Sequence, residues 1–474
     1  MKRNYSYFPC VIELELVKIV QLLLKREERA GKISKELHMW AEEWKDTPFW
    51  LDGLRPISVS YAFKKSKVGV LVIGSGYTGL QAALRIARAG KDVLVVDAGY
   101  PGFGCSTRNG GQLSTSIKPS YDKLVTKVGS ERATEICREG EYALEWIESF
   151  ISEENIDCNF SRCGRFHAAH SPKHYELLAK DIKRLKKSEN TQSYMVPKKE
   201  QYKELGTDMY YGGVVFPTHG SLHPAKYFNG LLSCVLKAGV SLLRNCRAQE
   251  INQASGGFEV KTSKGIILCE KIVLATNGYT TSLIPWLQRR VIPIGSYIIA
   301  TDEIEPALMQ KLFPNKRIVS DSRKIVYYYR PSPDYKRVLF GGRVSANETD
   351  PSVSGPKLHK DLSQIFPELI DTKVTHSWLG TVAYTFDELP HTGSYNGIYY
   401  AMGYCGSGVS MASYLGMRLG EKVLQTSEGK TAFDDLPFPT RPLYRGRPWF
   451  LPAIVSWYRW FDEQQVKKCS TIAR

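Results

Sequence analysis

The sequence predicts an α/β protein in which a Rossmann-like domain is interleaved with a substrate domain built on a mixed, largely antiparallel sheet. A β-branched strand, a glycine-rich turn and a helix follow one another within Val68–Gln112, as in a dinucleotide-binding unit. Short β-rich segments punctuated by Gly and Pro, such as Cys163–Ala169 and Ile292–Ala300, come later. The 474 residues are also enough for two cores.

The first turn reads GSGYTG at residues 74–79. The strand Val70–Ile73 precedes it and a helix over Tyr77–Ala89 follows it, so the helix amides point at an anion without any basic side chain. Asp97 ends the next strand, Val93–Val96, where a carboxylate accepts hydrogen bonds from ribose hydroxyls. This fingerprint predicts a bound dinucleotide but does not separate NAD from FAD. The residues expected at the cofactor are Gly74, Ser75, Gly76, Tyr77, Thr78, Gly79, Asp97 and Ala98.

A second glycine-rich loop, GFGCSTRNGGQ at residues 102–112, favours FAD. Its small residues suit a backbone that follows an extended phosphate and ring system, which a NAD-binding unit does not need at this point. Three later motifs follow in order, KIVLATNGYTT (271–281), GTVAYTFDELPHTG (380–393) and GIYYAMGYCGSGVSMASYLG (397–416). With these motifs the chain, from about Trp44 to Arg459, resembles the FAD-dependent oxidoreductase family of D-amino-acid oxidase, glycine oxidase and sarcosine oxidase. Within that family it is most similar to the gamma-glutamylputrescine oxidoreductase-like branch.

The resemblance implies FAD as the cofactor. Some relatives attach FAD through a His in the first flavin loop or a Cys in the late strand, but residues 102–112 contain no His and residues 376–389 no Cys, so non-covalent FAD is predicted. A helix beginning at Val409 should stabilise the negative charge of reduced flavin through its dipole. The further cofactor-binding residues predicted are Gly104, Cys105, Ser106, Thr107, Arg108, Asn109, Gly110, Gly111, Gln112, Ala248, Thr276, Asn277, Gly278, Gly403, Tyr404, Gly406, Ser407, Gly408 and Val409. Cys105 and Cys405 are interpreted as small apolar fillers rather than redox groups.

The predicted domains are discontinuous. They are a helical N-terminal extension (1–43, with an amphipathic helix at Val11–Lys25), a lead-in (44–67), an FAD-binding domain (68–155, 223–285 and 375–430), a substrate domain (156–222 and 286–374) and an aromatic, basic tail (431–474). Individual elements are also expected. They include a helix over Tyr121–Ile156, a strand over Val240–Ile251 and a strand over Lys324–Arg330.

The family resemblance implies oxidation of an amine or amino acid, possible substrates being gamma-glutamyl amines or polyamine derivatives. Hydride passes to the flavin, the imine hydrolyses to an aldehyde or keto product, and dioxygen or a quinone takes the electrons. Arg343 would promote reaction with dioxygen or form a surface salt bridge. Tyr328, within Tyr327–Tyr329, would line an amine pocket or pack in the core, and Trp378 would wall the site. No zinc-ligand spacing or GxSxG motif is present, so no metal is predicted.

Composition indicates an ordinary cytoplasmic protein. The ten cysteines form no CxxC pair and are expected to be reduced. The net charge of +16 attracts polyanions in general, but no nucleic-acid motif accompanies it, and a flavin-dependent tRNA-modifying enzyme stays a second hypothesis. A flavin-binding protein without turnover is the third. The aromatic and basic stretch Pro442–Phe461 is expected to pack on the protein in preference to a membrane surface.

Overall fold

The computed structural model describes residues 38–55, 57, 66–188, 192–343 and 349–472, so the predicted helix over Val11–Lys25 lies outside the described residues. The strands are β1 Trp40–Lys45, β2 Lys67–Ile73, β3 Val93–Val96, β4 Gln112–Leu113, β5 Arg165–Ala168, β6 Tyr194–Val196, β7 Gly213–Phe216, β8 Gly220–Ser221, β9 Ser241–Leu243, β10 Ala248–Ala254, β11 Gly257–Thr262, β12 Gly265–Leu274, β13 Val291–Thr301, β14 Ile318–Asp321, β15 Tyr328–Pro331, β16 Val338–Gly342, β17 Val374–Thr385, β18 His391–Tyr395 and β19 Ile398–Met402. The helices are α1 Tyr77–Arg88, α2 Tyr121–Val128, α3 Ser130–Glu153, α4 Pro172–Ser188, α5 Pro224–Lys237, α6 Pro285–Gln288, α7 Pro306–Leu312, α8 Pro351–Ile365, α9 Gly408–Leu424 and α10 Leu451–Ile472.

An eight-stranded sheet carries the glycine-rich motifs. Its order is β10-β11-β12-β2-β3-β9, with β19 beside β12 and β18 beside β19. The strands β19, β12, β2, β3 and β9 pair in parallel, so their carboxyl ends meet at one edge. Side chains of β2 alternate between two cores: Val70 and Val72 face the helices, and Leu71 and Ile73 face the opposite layer. Because both faces are covered, the strand is apolar from Val68 to Ile73, as is typical of parallel sheets.

Helix α9 packs directly on α1, although more than three hundred residues separate them. Two glycines of α9 make this contact possible. A Cβ at Gly416 would come within 2.6 Å of the Thr78 carbonyl, and one at Gly420 within 2.8 Å of the Arg85 side chain. The glycines therefore bring the late helix against the first turn, and the loop before α9 reaches the edge of the sheet.

The second sheet has nine strands in the order β1-β17-β13-β16-β15-β14-β5-β7-β6. Among the described strands of this second sheet, only the pairs β1–β17 and β14–β5 are parallel. The remaining pairs are antiparallel, so the predicted mixed, largely antiparallel sheet and the α/β class are confirmed. Its core contains Phe166, Tyr329 and Phe340, and α8 covers it with Leu358 and Leu362.

Several predicted elements need correction. The single helix expected over Tyr121–Ile156 is two helices, because Gly129 separates them with φ +81°. The strand expected over Val240–Ile251 is likewise two strands, β9 and β10. Trp40–Lys45 is an edge strand of the nine-stranded sheet, where the end of a helical extension and a lead-in segment were expected.

The strand expected from Lys324 begins only at Tyr328. The preceding backbone is held elsewhere, since the Lys324 and Ile325 amides donate to the Asp462 carboxylate at 3.1 and 3.2 Å. The predicted boundary at residue 375 falls at the start of β17, a strand of the nine-stranded sheet. The division into an FAD-binding and a substrate domain stays a proposal. None of the helices within the described ranges is long and apolar enough to cross a bilayer.

Candidate functional site

An elongated cavity of about 730 Å³ runs along the carboxyl edge of the eight-stranded sheet. Loops that follow β2, β3, β12 and β19 contribute to it, and β17 of the other sheet closes one side. Ligands of open parallel sheets bind at this edge. Of the predicted cofactor-binding residues, those lining the cavity are Gly74, Ser75, Gly76, Tyr77, Thr78, Asp97, Ala98, Gly104, Cys105, Ser106, Asn109, Ala248, Thr276, Asn277, Gly278, Tyr404, Gly406, Gly408 and Val409.

Asp97 and the first glycine turn form one end of the cavity. The Asp97 carboxylate accepts hydrogen bonds from the Ser75 amide (2.8 Å) and hydroxyl (2.7 Å), and from the Gly99 amide (2.9 Å). The helix α1 begins after Gly76, which has no side chain to cap it, and its first residues, Tyr77 and Thr78, line the cavity. Gly79 does not line the cavity, because its Cα faces the Gly74 carbonyl, with which a Cβ would overlap. This end has the acceptor and the amides that a ribose and a pyrophosphate require.

The second glycine-rich loop is held from behind by two tryptophans. The Trp50 indole N–H donates to the Asn109 carbonyl at 2.7 Å, and the Trp378 indole N–H donates to the Arg108 carbonyl at 2.9 Å. Both side chains are fully buried. The Asn109 side chain then closes the loop on itself, accepting from the Gly111 amide at 2.8 Å.

Several predicted cofactor-binding residues build this loop rather than line the cavity. The Arg330 guanidinium donates to the Gly111 carbonyl at 3.1 Å. The side-chain amide of Gln112 donates to the carbonyls of Val319 and Tyr329 in the nine-stranded sheet. Thr107 hydrogen-bonds the Gly102 carbonyl at 2.6 Å. The described predicted residues outside the cavity lining are Gly79, Thr107, Arg108, Gly110, Gly111, Gln112, Gly403 and Ser407.

The late glycine loop forms the other end of the cavity. Gly403 and Gly406 have φ of +81° and +100°, and Cys405 between them has φ +51°, conformations that favour glycine. The Gly403 amide donates to the Asn277 side chain at 3.0 Å, which joins the loops after β12 and β19. Tyr404 reaches back to the first turn, its hydroxyl 2.6 Å from the Thr78 hydroxyl.

Three cysteines line the cavity, Cys105, Cys246 and Cys405, and the first and last of them are protonated at neutral pH. Burial raises the thiol pKa of Cys105 to about 11 and that of Cys405 to about 12. The Cys405 thiol also lies 3.6 Å from the Thr385 hydroxyl. Since the thiolate is the reactive form, these values support the interpretation of both as fillers.

The three predicted catalytic side chains stand behind the cavity, and none of these described residues lines it. Trp378 supports the flavin loop, as stated above. Tyr328 places its hydroxyl 2.7 Å from that of Ser296. Arg343 follows β16, and its carbonyl accepts a hydrogen bond from the Arg459 guanidinium at 3.2 Å. A role for Tyr328 and Arg343 at the site stays a prediction.

Sequence reasoning missed three aromatic or basic groups near the late loop. The Tyr384 hydroxyl lies 3.6 Å from where a Cβ of Gly406 would be, and the Lys118 amine is 6.0 Å from the centre of the Tyr384 ring. Tyr279 lines the cavity itself, and burial raises its pKa to about 12. Tyr279 belongs to the motif at residues 271–281 and Tyr384 to the motif at residues 380–393. Because side chains alternate between the two faces of a strand, the position of Tyr384 along β17 could have indicated that it faces the site. Lys118 carries no such signal.

Comparison with known proteins decides the family. Residues 69–422 match the family model described as DAO: FAD dependent oxidoreductase. The chain belongs to this DAO family. It is 30% identical over 370 residues to gamma-glutamylputrescine oxidoreductase of Escherichia coli (strain K12), covering 78% of this chain and 86% of the relative. It is 32% identical over 400 residues to the probable oxidoreductase OrdL of Rhizobium meliloti (strain 1021), covering 83% and 91%.

The solved structure of glycine oxidase from Geobacillus kaustophilus has the same fold, with a TM-score of 0.66 at 18% identity. The match covers 80% of this chain and 99% of that one. The protein is therefore an FAD-dependent oxidoreductase of the DAO family, whose members act on amines or amino acids.

The cavity residues fit FAD. Asp97 and the α1 amides suit the ribose and the diphosphate, and the α9 amides suit a ring that becomes anionic on reduction. The two glycine-rich loops also pack on each other at this point, because a Cβ at Gly76 would stand 3.0 Å from the Ser106 hydroxyl. Ser106 in turn accepts a hydrogen bond from the Tyr77 amide at 3.0 Å.

Proposed function

We propose that the protein oxidises the carbon–nitrogen bond of an amine or amino acid, with FAD held non-covalently. The observation that carries this proposal is the continuous cavity that joins the GSGYTG turn to the GYCGSG loop. FAD held by these loops would supply a hydride acceptor for the carbon next to the substrate nitrogen; with loss of the N–H proton the substrate would become an imine, which water would hydrolyse to an aldehyde or keto product. The protein binds and orients the two reactants and excludes water.

Two features of the cavity support non-covalent binding. Among the described residues that line it there is no His, and two of its three cysteines, Cys105 and Cys405, have raised thiol pKa values, whereas the third, Cys246, follows β9 outside the two flavin-loop motifs. A protonated, buried thiol is a poor nucleophile. Acid precipitation should therefore release a yellow supernatant and leave colourless protein, and a yellow pellet would contradict the proposal.

The walls next to the late loop support an aromatic pocket for a cationic amine. Tyr384 is half-buried near Gly406, and the Tyr328 hydroxyl is hydrogen-bonded to that of Ser296. Aromatic faces attract ammonium groups by about 0.5–2 kcal/mol. Arg343 and Lys118 lie near the Tyr384 ring. We propose that they contact an anionic group of the substrate or promote the reaction of reduced flavin with dioxygen. These four residues are proposed substrate-side groups.

A gamma-glutamyl amine or a polyamine derivative is the proposed substrate. Support comes from the relative of 30% identity that is named gamma-glutamylputrescine oxidoreductase, since the match covers 86% of that protein. The net charge of +16 favours a substrate with a carboxylate, which the glutamyl group carries, over a plain polycation. The electron acceptor is proposed to be dioxygen or a quinone.

An anaerobic reduction panel tests the proposed function. FAD-loaded protein is mixed with gamma-glutamyl amines, polyamines and amino acids, and bleaching of the flavin absorbance is followed. Air or a soluble quinone is then admitted to identify the acceptor. Gly408→Ala and Gly408→Asp form a matched pair, because a Cβ at Gly408 meets only Tyr404 at 3.8 Å. The Gly408→Ala variant should retain FAD binding and turnover. The Gly408→Asp variant should lose both FAD binding and turnover, because its carboxylate would stand in the cavity wall. No bleaching with any substrate of the panel would refute the proposed function.

A further inference from the structure

The C-terminal helix α10 is fixed to the protein along one face. Leu451 and Val455 are buried, and the buried Asp462 carboxylate accepts hydrogen bonds from the Lys324 and Ile325 amides. Residues 451, 455 and 462 lie within about 40° of one another on a helical projection. The expected packing of the tail on the protein therefore accounts for this inner face.

A second apolar face of α10 points to solvent. At about 100° per residue, Ile454, Trp457 and Trp460 lie about 60–180° away from the inner face, and they are 36%, 55% and 56% exposed. The turn before the helix adds Leu443 at 86% exposure and Trp449 at 70%. We call these five residues the outer face. A helix that is apolar on both sides needs a partner on each, and clustered exposed apolar side chains mark interaction sites.

The border of the outer face is cationic. Arg441, Arg445 and Arg447, in the turn before the helix, are all exposed. The one described acidic side chain of this stretch, Asp462, is buried against the loop it caps. Two copies docked through this face would bring their arginines together at a net charge of +16 each, so a second copy is a poor occupant. An anionic surface is electrostatically complementary.

The inner side of α10 lies beside the substrate-side groups proposed above. The Arg459 guanidinium donates to the Arg343 carbonyl, and Tyr444 packs with Leu451 in a cluster that includes Tyr384. The outer face is on the opposite side of the helix from these groups. The docking itself does not depend on the proposed function.

We propose that the outer face docks on the surface of an anionic lipid bilayer, with α10 lying in the plane of the membrane. Tryptophan rings favour the headgroup level because they are apolar with one polar N–H. The three arginines of the turn, Arg441, Arg445 and Arg447, meet anionic headgroups, each such contact adding about 1 kcal/mol near the surface. This mode of binding needs no spanning helix.

Vesicle co-sedimentation of the full-length, FAD-loaded protein tests the proposal. The vesicles are phosphatidylcholine alone and phosphatidylcholine mixed with phosphatidylglycerol, at low and high salt. The protein should sediment with the anionic vesicles at low salt and less at high salt. The double variant Trp457→Gln/Trp460→Gln should bind at least about tenfold more weakly.

The control replaces two exposed aromatics on other elements, Tyr142→Gln/Tyr202→Gln, with exposures of 50% and 63%. It should bind as the wild type does. Flavin absorbance and thermal unfolding confirm that each variant is folded, and lipids brominated near the headgroup should quench wild-type tryptophan fluorescence more than that of the double variant.

Three results would overturn the proposal. The first is the absence of vesicle binding by the wild type. If sedimentation velocity then shows a wild-type dimer that the double variant does not form, the occupant of the outer face is a second copy of the chain. The second is equal binding by the wild type and the double variant. The third is equal binding to neutral and anionic vesicles.

Discussion

Replacing Trp378 with Phe tests how the flavin loop is held. The Trp378 side chain is fully buried in the nine-stranded sheet, and its indole N–H is 2.9 Å from the Arg108 carbonyl. Phe keeps an aromatic ring at this site but removes the donor. Trp50 acts on the next carbonyl of the loop, that of Asn109, and is left in place.

The magnitude follows from two contributions. Removing the indole donor leaves the Arg108 carbonyl without this hydrogen bond. The carbonyl is only partly buried, so water can replace some of the lost interaction and the cost is about 1–2 kcal/mol. The smaller ring leaves space in a tightly packed cluster with Ile298 and Leu339, which adds about 1 kcal/mol. The free energy of unfolding should therefore fall by about 2–3 kcal/mol. Because Asn109 lines the cavity next to Arg108, part of this loss should appear as weaker FAD binding, at about tenfold per 1.4 kcal/mol.

The assay is urea unfolding of the apoprotein together with fluorescence titration by FAD. Trp449→Phe is the matched control, because Trp449 is 70% exposed and the same chemical change there should cost less than about 0.5 kcal/mol. An unfolding midpoint of Trp378→Phe equal to that of Trp449→Phe would refute the hydrogen-bond argument. A destabilised Trp378→Phe with unchanged FAD affinity would refute the link to the loop.

Three further predictions concern pH, the ribose acceptor and the thiols. Burial lowers the pKa of His223 to about 4, and its Nδ1 accepts a hydrogen bond from the Lys226 amide at the start of α5. In the unfolded chain the His pKa is about 6.5, so the unfolded chain takes up the proton first as the pH falls. The free energy of unfolding should therefore decrease as the pH drops from about 6.5 to 4, by about 2 kcal/mol at pH 5. Thermal unfolding should show a smaller loss between about pH 8 and pH 5 for His223→Asn, which keeps a capping acceptor; an equal loss would contradict this. Asp97→Ala should weaken FAD binding by about 10–100-fold in the same titration, and an unchanged Kd would exclude a role for this carboxylate at the cofactor. With thiol pKa values of about 11 and 12, Cys105 and Cys405 should react with a thiol reagent at about pH 8 at least about 100-fold more slowly than free cysteine, and prompt labelling of the apoprotein would contradict the burial argument.

The parts of the fold that depend on local pattern could be predicted from the sequence. The strand Val93–Val96 has the predicted bounds, and the helix after GSGYTG begins at Tyr77 as predicted. In both cases a run of apolar residues is followed by a glycine or an acid that ends it. The break at Gly129 was missed because the residues on both sides of it continue a helical spacing.

The parts that depend on distant contacts could not be predicted. Nothing local marks Lys324 and Ile325 as non-strand, because their amides are held by Asp462, more than a hundred residues later. The same holds for the flavin loop. Its sequence suggested that every residue from Gly104 to Gln112 faces the cofactor, but the indoles of Trp50 and Trp378 pull one side of the loop away from the cavity. Motifs identify which segment is used, and tertiary partners decide which side chains of it are presented.

The order of the cavity walls along the chain has a consequence for biosynthesis. Residues 74–112 leave the ribosome early, but β19 pairs with β12 and α9 packs on α1 only when residues 398–424 have been made. An unfinished chain therefore exposes the apolar helix side of β2 and α1, where Leu80 and Ile86 would meet water. Such a chain carries one end of the cofactor cavity and lacks the other. We expect FAD to enter after release from the ribosome, and premature termination between residues 281 and 398 to yield protein that aggregates rather than a partly active enzyme.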